Sequence, residues 1–240
     1  MFSCRRSALC CALLCPLLPQ AAELVVLVDT ATEMPMARFE QYRLIDGMHK
    51  DIGEALAKAM GRQPRFLALP RKRVVPALSS GSADVLCGFV PEWVEGTVSW
   101  SQPFLPLVEV VITNRAAARP HTLADLAGQP IGTVFGYFYP AIEHALGKGF
   151  ERADGPSALL NLRKLAAGRL NHVVTMKSFV EYRQKLGAPV LALHPPLVVK
   201  TYMTRCAISS AGRVSVPEVE RAVDQLLHDG TIAKITARYQ

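Results

Sequence analysis

The sequence predicts an α/β protein of two lobes joined by extended crossing segments, and three observations carry that prediction. Alternating strand and helix signals precede residue 99, and a second, similar set follows residue 114. Alternation of this kind favours a parallel sheet with helices on its faces. Between the two sets, Pro103 and Pro106 bracket an aromatic, and the chain then enters a β-branched, mostly apolar run whose only charge is Glu109. Proline fixes φ and removes a donor, so the first part of this stretch is not regular helix and the second reads as a strand that crosses. Residues 198–209 are extended again and return the chain to the first lobe. The expected divisions are 1–22 for a removable leader, 23–107 and 208–240 for the first lobe, and 108–207 for the second.

The leader comes first. Arg5 and Arg6 precede an uncharged apolar run at 7–18, and small residues follow at Ala21 and Ala22. That is the three-part layout of a secretory signal, too short to span a membrane and stay there. Export to the periplasm is expected. Cys4, Cys10, Cys11 and Cys15 leave with the leader; Cys87 and Cys206 remain. An oxidising compartment permits one disulfide between them, whereas two strand-like runs that need not face each other favour two buried thiols.

In the mature chain, residues 24–28 form a buried-strand run, 30–44 a loop, and Met48, Ile52 and Leu56 recur at helical spacing up to Gly61. A short strand at 64–69, a helix closing at Gly81 and a strand at 83–90 follow. After the crossing, Thr122 and Asp125 read as a capping box, 130–134 as a strand, and Pro140 as the first turn of a helix. Ser157 caps a helix ended by Gly168, 171–175 is a strand, 177–186 a helix and 189–193 a strand. Ser215 and Glu218 form a second capping box before an amphipathic helix, and 231–239 is a last helix.

The formal net charge of +7 is spread along the chain apart from Arg71-Lys72-Arg73, which excludes a nucleic-acid face. The histidines are widely spaced and no cysteine pair has zinc spacing, so neither a metal nor another cofactor is expected. In parallel sheets ligands sit beyond the carboxyl ends of the strands, where Asp29, Arg71, Gly88 and Phe89 fall. Gly136 lets backbone approach a ligand closely. Phe89, Trp93, Tyr137 and Phe138 suit an aromatic cage or plain core packing, and Asp29 and Glu33 suit a cationic ligand group or helix capping.

Several stretches resemble the extracellular solute-binding proteins of family 3, the periplasmic amino-acid-binding type. They are Gly47-Met-His-Lys-Asp51-Ile52, Leu78-Ser-Ser-Gly81-Ser-Ala-Asp84, Trp100-Ser-Gln-Pro-Phe104, Asp125-Leu-Ala-Gly128, Gly168-Arg169-Leu170-Asn171 and the ending from Asp229 to Tyr239. The resemblance implies the two-lobed type II architecture with two hinge strands. It implies a monomer that closes on a small solute and hands it to an inner-membrane ABC permease, or presents the closed form to a sensor kinase. It also implies a carboxylate-binding arginine within 88–102, where no basic residue stands, and an aspartate after Thr175, where Met176 stands. Arg71 is the substitute anchor, with a solvated surface charge as its alternative. A dehydratase-like enzyme on the same fold is the competing class, with Glu33, Glu92 and Glu95 as its candidate acids.

Overall fold

The computed structural model describes residues 21–187 and 192–239, so the expected leader and most of the strand expected at 189–193 lie outside the described residues. Strand β1 (Glu23–Asp29) is buried from Leu24 onward, as a strand covered on both faces requires. A hairpin of β2 (Arg38–Glu40) and β3 (Arg43–Asp46) occupies the stretch expected as loop. Its turn residues Gln41 and Tyr42 both have positive φ, a conformation usually marked by glycine or asparagine, so no hairpin signal stands at this turn. Gly47 has φ 115°, and a Cβ there would meet the Met36 carbonyl oxygen at 2.5 Å. Only glycine fits that turn into α1 (Met48–Ala59), which buries Met48, Ile52 and Leu56 on one face.

The chain continues through β4 (Gln63–Leu69), α2 (Arg71–Ser79), β5 (Val85–Phe89) and β6 (Ser99–Trp100) to the crossing strand β7 (Leu105–Thr113). The Thr122 and Asp125 capping box forms, but it opens a 3₁₀ turn at Leu123–Leu126 rather than an α-helix. Then come β8 (Pro130–Val134), α3 (Pro140–Leu146) and β9 (Glu151–Gly155), an edge strand that sequence reading missed because three of its five residues are charged and none is β-branched or aromatic. Helix α4 (Ala158–Ala166) is capped by Ser157, whose Oγ accepts from the Leu160 N–H at 3.3 Å. The rest is β10 (His172–Met176), α5 (Lys177–Lys185), β11 (Leu197–Ile208), α6 (Val216–His228) behind the Ser215 and Glu218 box, and α7 (Thr231–Tyr239).

The strand order is β4-β1-β5-β11-β7-β10-β8-β9, with β6 also on β11. The path runs through both halves because β11 serves each in turn: Leu197 to Thr204 pairs with β7, and Arg205 to Ile208 pairs with β5. The cores are nonetheless separate. One cluster fills the half built from β1, β4, β5 and the last two helices. In the other half, successive residues of β7 point to opposite faces, so Val110 and Ile112 join a cluster with Leu165 and Phe179 while Val111 joins one with Ile131 and Ile142.

Two devices tie the first half together, one polar and one covalent. The buried Asp84 carboxylate accepts from the Val25 N–H at 2.7 Å and the Arg213 N–H at 2.7 Å, joining β1 to the loop before α6. Asp84→Asn turns one acceptor into a donor against a backbone N–H, and a loss of about 2 kcal/mol is expected, read from the urea unfolding midpoint. The second device is a disulfide. Cys87 and Cys206 are register partners on β5 and β11 and are bonded, with S–S 1.94 Å, which corrects the expectation of two separate thiols.

Candidate functional site

A cavity of about 130 Å³ lies between the two halves, at the carboxyl ends of β5, β8 and β10 and beside the amino ends of α2 and α4. At roughly 10–15 Å³ per water, that is the space of about ten waters, or of a small organic solute. Of the residues singled out from the sequence, Glu33, Arg71, Gly88, Phe89, Trp93, Tyr137, Phe138, Thr175 and Met176 line it. Asp29 and Gly136 do not. Both stand behind Arg71: Asp29 Oδ2 is 3.8 Å from Arg71 Nη1, and a Cβ on Gly136 would be 3.6 Å from Arg71 Cγ.

Arg71 is the only lysine or arginine lining the cavity among the described residues. Its side chain is 13% exposed, so the solvated reading does not hold. Pro70 is extended at the head of α2, and Arg71 is the first residue of that helix. The guanidinium is sandwiched between the Phe89 and Tyr137 rings, at 5.1 and 5.3 Å from their centroids, and Nη2 donates to the Trp93 carbonyl. Asp29 balances its charge. Burial pushes the Asp29 carboxyl up from its ordinary range, against the opposing effects of the Ala31 N–H and Arg71.

Glu33 reaches across the cavity, and its Oε2 accepts from the Leu159 N–H at 2.8 Å, in the first turn of α4. Free N–H groups and the helix dipole favour a carboxylate there. Burial nonetheless raises the Glu33 pKa, with the Leu159 and Ser157 contacts opposing it. Lys72 lies 5.0 Å from the centroid of the exposed Phe135 ring, a further contact between α2 and the segment after β8.

Sequence reasoning missed His49, Tyr139, Phe179 and Glu109, all of which line the cavity. His49 is buried and neutral, its pKa lowered to about 4 by burial. It packs against Gly88, where a Cβ would come within 2.9 Å of its ring and where φ is 80°. Glu109 had a signal, being the lone charge in the crossing strand. It is 1% exposed, pairs in register with Lys200 on β11 and Met176 on β10, and has an Oε2 without a hydrogen-bond partner. Burial pushes its carboxyl up to about 7, against the pull of the Tyr202 hydroxyl and Lys200. Trp93 and Tyr202 meet at 4.6 Å between centroids, and the Trp93 Nε1 and Tyr202 hydroxyl are likewise unpartnered.

Among the described residues no three His, Cys, Asp or Glu side chains gather as metal ligands, and no helix is long and apolar enough to cross a membrane. What the cavity offers is a set of aromatic walls, one internally balanced arginine and unpaired polar atoms at its floor.

The model of the bacterial extracellular solute-binding proteins, family 3, matches residues 25–240. The chain is 23% identical over 223 residues to the probable amino-acid-binding protein YxeM of Bacillus subtilis (strain 168), covering 88% of this chain and 81% of that one. Among solved structures it is similar to a histidine kinase sensor domain with similarity to periplasmic binding proteins, at TM-score 0.75 and 20% identity over 92% of this chain and 96% of the other. An ancestral arginine-binding protein bound to arginine aligns at TM-score 0.73 and 20% identity, over 91% and 98%. The ancestral amino-acid-binding protein AncCDT-1, a precursor of cyclohexadienyl dehydratase, aligns at TM-score 0.72 and 19% identity, over 91% and 95%. These structural likenesses carry the two-lobed fold.

Proposed function

The chain belongs to the bacterial extracellular solute-binding proteins, family 3, and from that premise we propose that it is a periplasmic binder that closes on a small, amino-acid-like polar solute and delivers it to an ABC permease. In this reading residues 23–107 and 208–240 form one jaw and 108–207 the other. The observation that supports it best is the cavity walled from both sides. Arg71 lies against Tyr137, Lys72 over Phe135, and Glu33 on α4, so the walls come together only in a closed form. A solute touching both walls shifts the balance toward closure, because only the closed form offers it both sets of contacts. The curated relative's amino-acid-binding description fits the size of the cavity.

A binder is the simpler reading than an enzyme. Glu33 is held by a backbone amide, and Glu109 has no second carboxyl group as its register partner on either neighbouring strand, only Lys200 and Met176. Turnover of a prephenate-like cyclic acid by the purified protein would reverse this. The sensor-domain neighbour supports a second reading, in which the closed form is presented to a membrane kinase. Capture of a permease or of a kinase from membranes by the solute-loaded protein separates the two.

The central test is a thermal-shift screen of the mature protein against amino acids, carboxylates, polyamines and cyclic acids. At a hundredfold excess over Kd a solute adds about 2.7 kcal/mol, which in a domain of this size raises Tm by about 5–10 °C. Small-angle scattering with each hit is expected to show a smaller radius of gyration. A panel without any shift, or hits without compaction, would end the reading.

A further inference from the structure

Resting on that reading of the cavity, we propose that the solute carries a protonated nitrogen and that Glu109, on the crossing strand, is the group that receives it. The site residues supply the argument by elimination and by complementarity. Arg71 is neutralised by Asp29, bonded to the Trp93 carbonyl and covered by two rings, so it is occupied by the protein itself. Glu33 is bonded to the Leu159 amide. Glu109 is different: it lines the cavity, is 1% exposed, and leaves Oε2 without a partner.

An unpaired buried acceptor is costly to fold and calls for a donor from outside the chain. The surroundings select a cationic donor. Trp93 lines the cavity beside Glu109 with an aromatic ring that attracts a cation and an Nε1 without a partner, and Tyr202 packs on it at 4.6 Å between centroids. Every charged or titratable neighbour fits this assignment. From β11, Lys200 is half exposed, already pairs with Glu92 at 3.4 Å and lies over the Tyr202 ring, at 4.8 Å from its centroid. Tyr139, ahead of α3, has its hydroxyl taken by the Val134 N–H at 2.8 Å. From β10, the register partner of Glu109 is the neutral Met176.

A cation on Glu109 needs the carboxylate, so binding expels the proton that burial keeps on this group near neutral pH. Affinity for an ammonium solute therefore rises with pH until Glu109 is ionised, whereas an anion would bind more weakly along the same path.

The experiment extends the thermal-shift panel with matched sets of primary amines, alcohols and carboxylates of equal chain length, followed by calorimetry on the hits between pH 5.5 and 7.5. The expected result is that hits carry a cationic nitrogen, that their Kd tightens as pH rises, and that Glu109→Gln weakens them by about thirtyfold and flattens the pH profile. Glu109→Gln keeps the shape while removing the buried charge, and its melting curve in the same assay reports that it is folded. Tyr202→Phe, which keeps the ring, is expected to weaken binding far less. Hits without a cationic nitrogen, or a Glu109→Gln protein that binds amines within threefold of the original, would overturn the assignment and leave the solute-binding reading standing. A panel without hits overturns both.

Discussion

Replacing Cys87 and Cys206 together by alanine is expected to lower the unfolding free energy by roughly 3–5 kcal/mol, and Tm by about 10 °C or more. The bond joins residues 119 apart in sequence, so without it the unfolded chain regains a large loop's worth of conformations. Both sulfurs are buried in the first half's core, and the small side chains put in their place leave a gap there as well. Reversible urea unfolding with and without reductant checks this. Reductant must reproduce the loss in the original protein and do nothing to the double variant. Equal midpoints for all samples would mean that the bond contributes no stability.

Raising the pH from about 4.5 to about 7 is expected to remove on the order of 3 kcal/mol of stability through Glu109 alone. The sign follows from its raised pKa. Burial favours the protonated form in the native state, so the native protein holds a proton that the unfolded chain releases at its ordinary carboxylate pKa. The contribution is complete below about 4.5 and is lost as pH climbs through about 7. Asp29 and Glu33 shift in the same direction, and Glu218, held down to about 2 mainly by the Ser215 contacts, acts the opposite way only in strong acid. The clean measurement is therefore the difference between the original protein and Glu109→Gln across that window. A difference that is flat with pH would show that Glu109 is ionised in the folded protein throughout.

Much of this fold was legible because its signals are local. Ser157 and the Ser215 and Glu218 box mark helix starts by hydrogen bonds that span a few residues, and the apolar runs of β1, β5 and β10 mark strands with both faces covered. The features that stayed hidden depend on pairing between distant segments. Whether Cys87 faces Cys206 is a matter of register between β5 and β11, and no local pattern encodes register over that separation. The polar edge strand β9 takes its conformation from β8 and not from its own residues. The site followed the same rule. Arg71 and Phe89, singled out at strand ends, and Trp93, singled out as an aromatic, line the cavity, but Glu109 was visible only as an odd charge. Its inward direction depends on which neighbours β7 acquires, and those are Met176 and Lys200.

The division of labour along β11 has one more consequence. The register slips between Arg205 and Cys206, and the residue just past the slip is covalently fastened to β5. In the proposed closure, a swivel of β11 would be absorbed upstream of that fastening, while the segment beyond it would stay with β5. Gly88 and Phe89 directly follow the fastened cysteine on β5, so the wall they give the cavity begins at a covalent anchor.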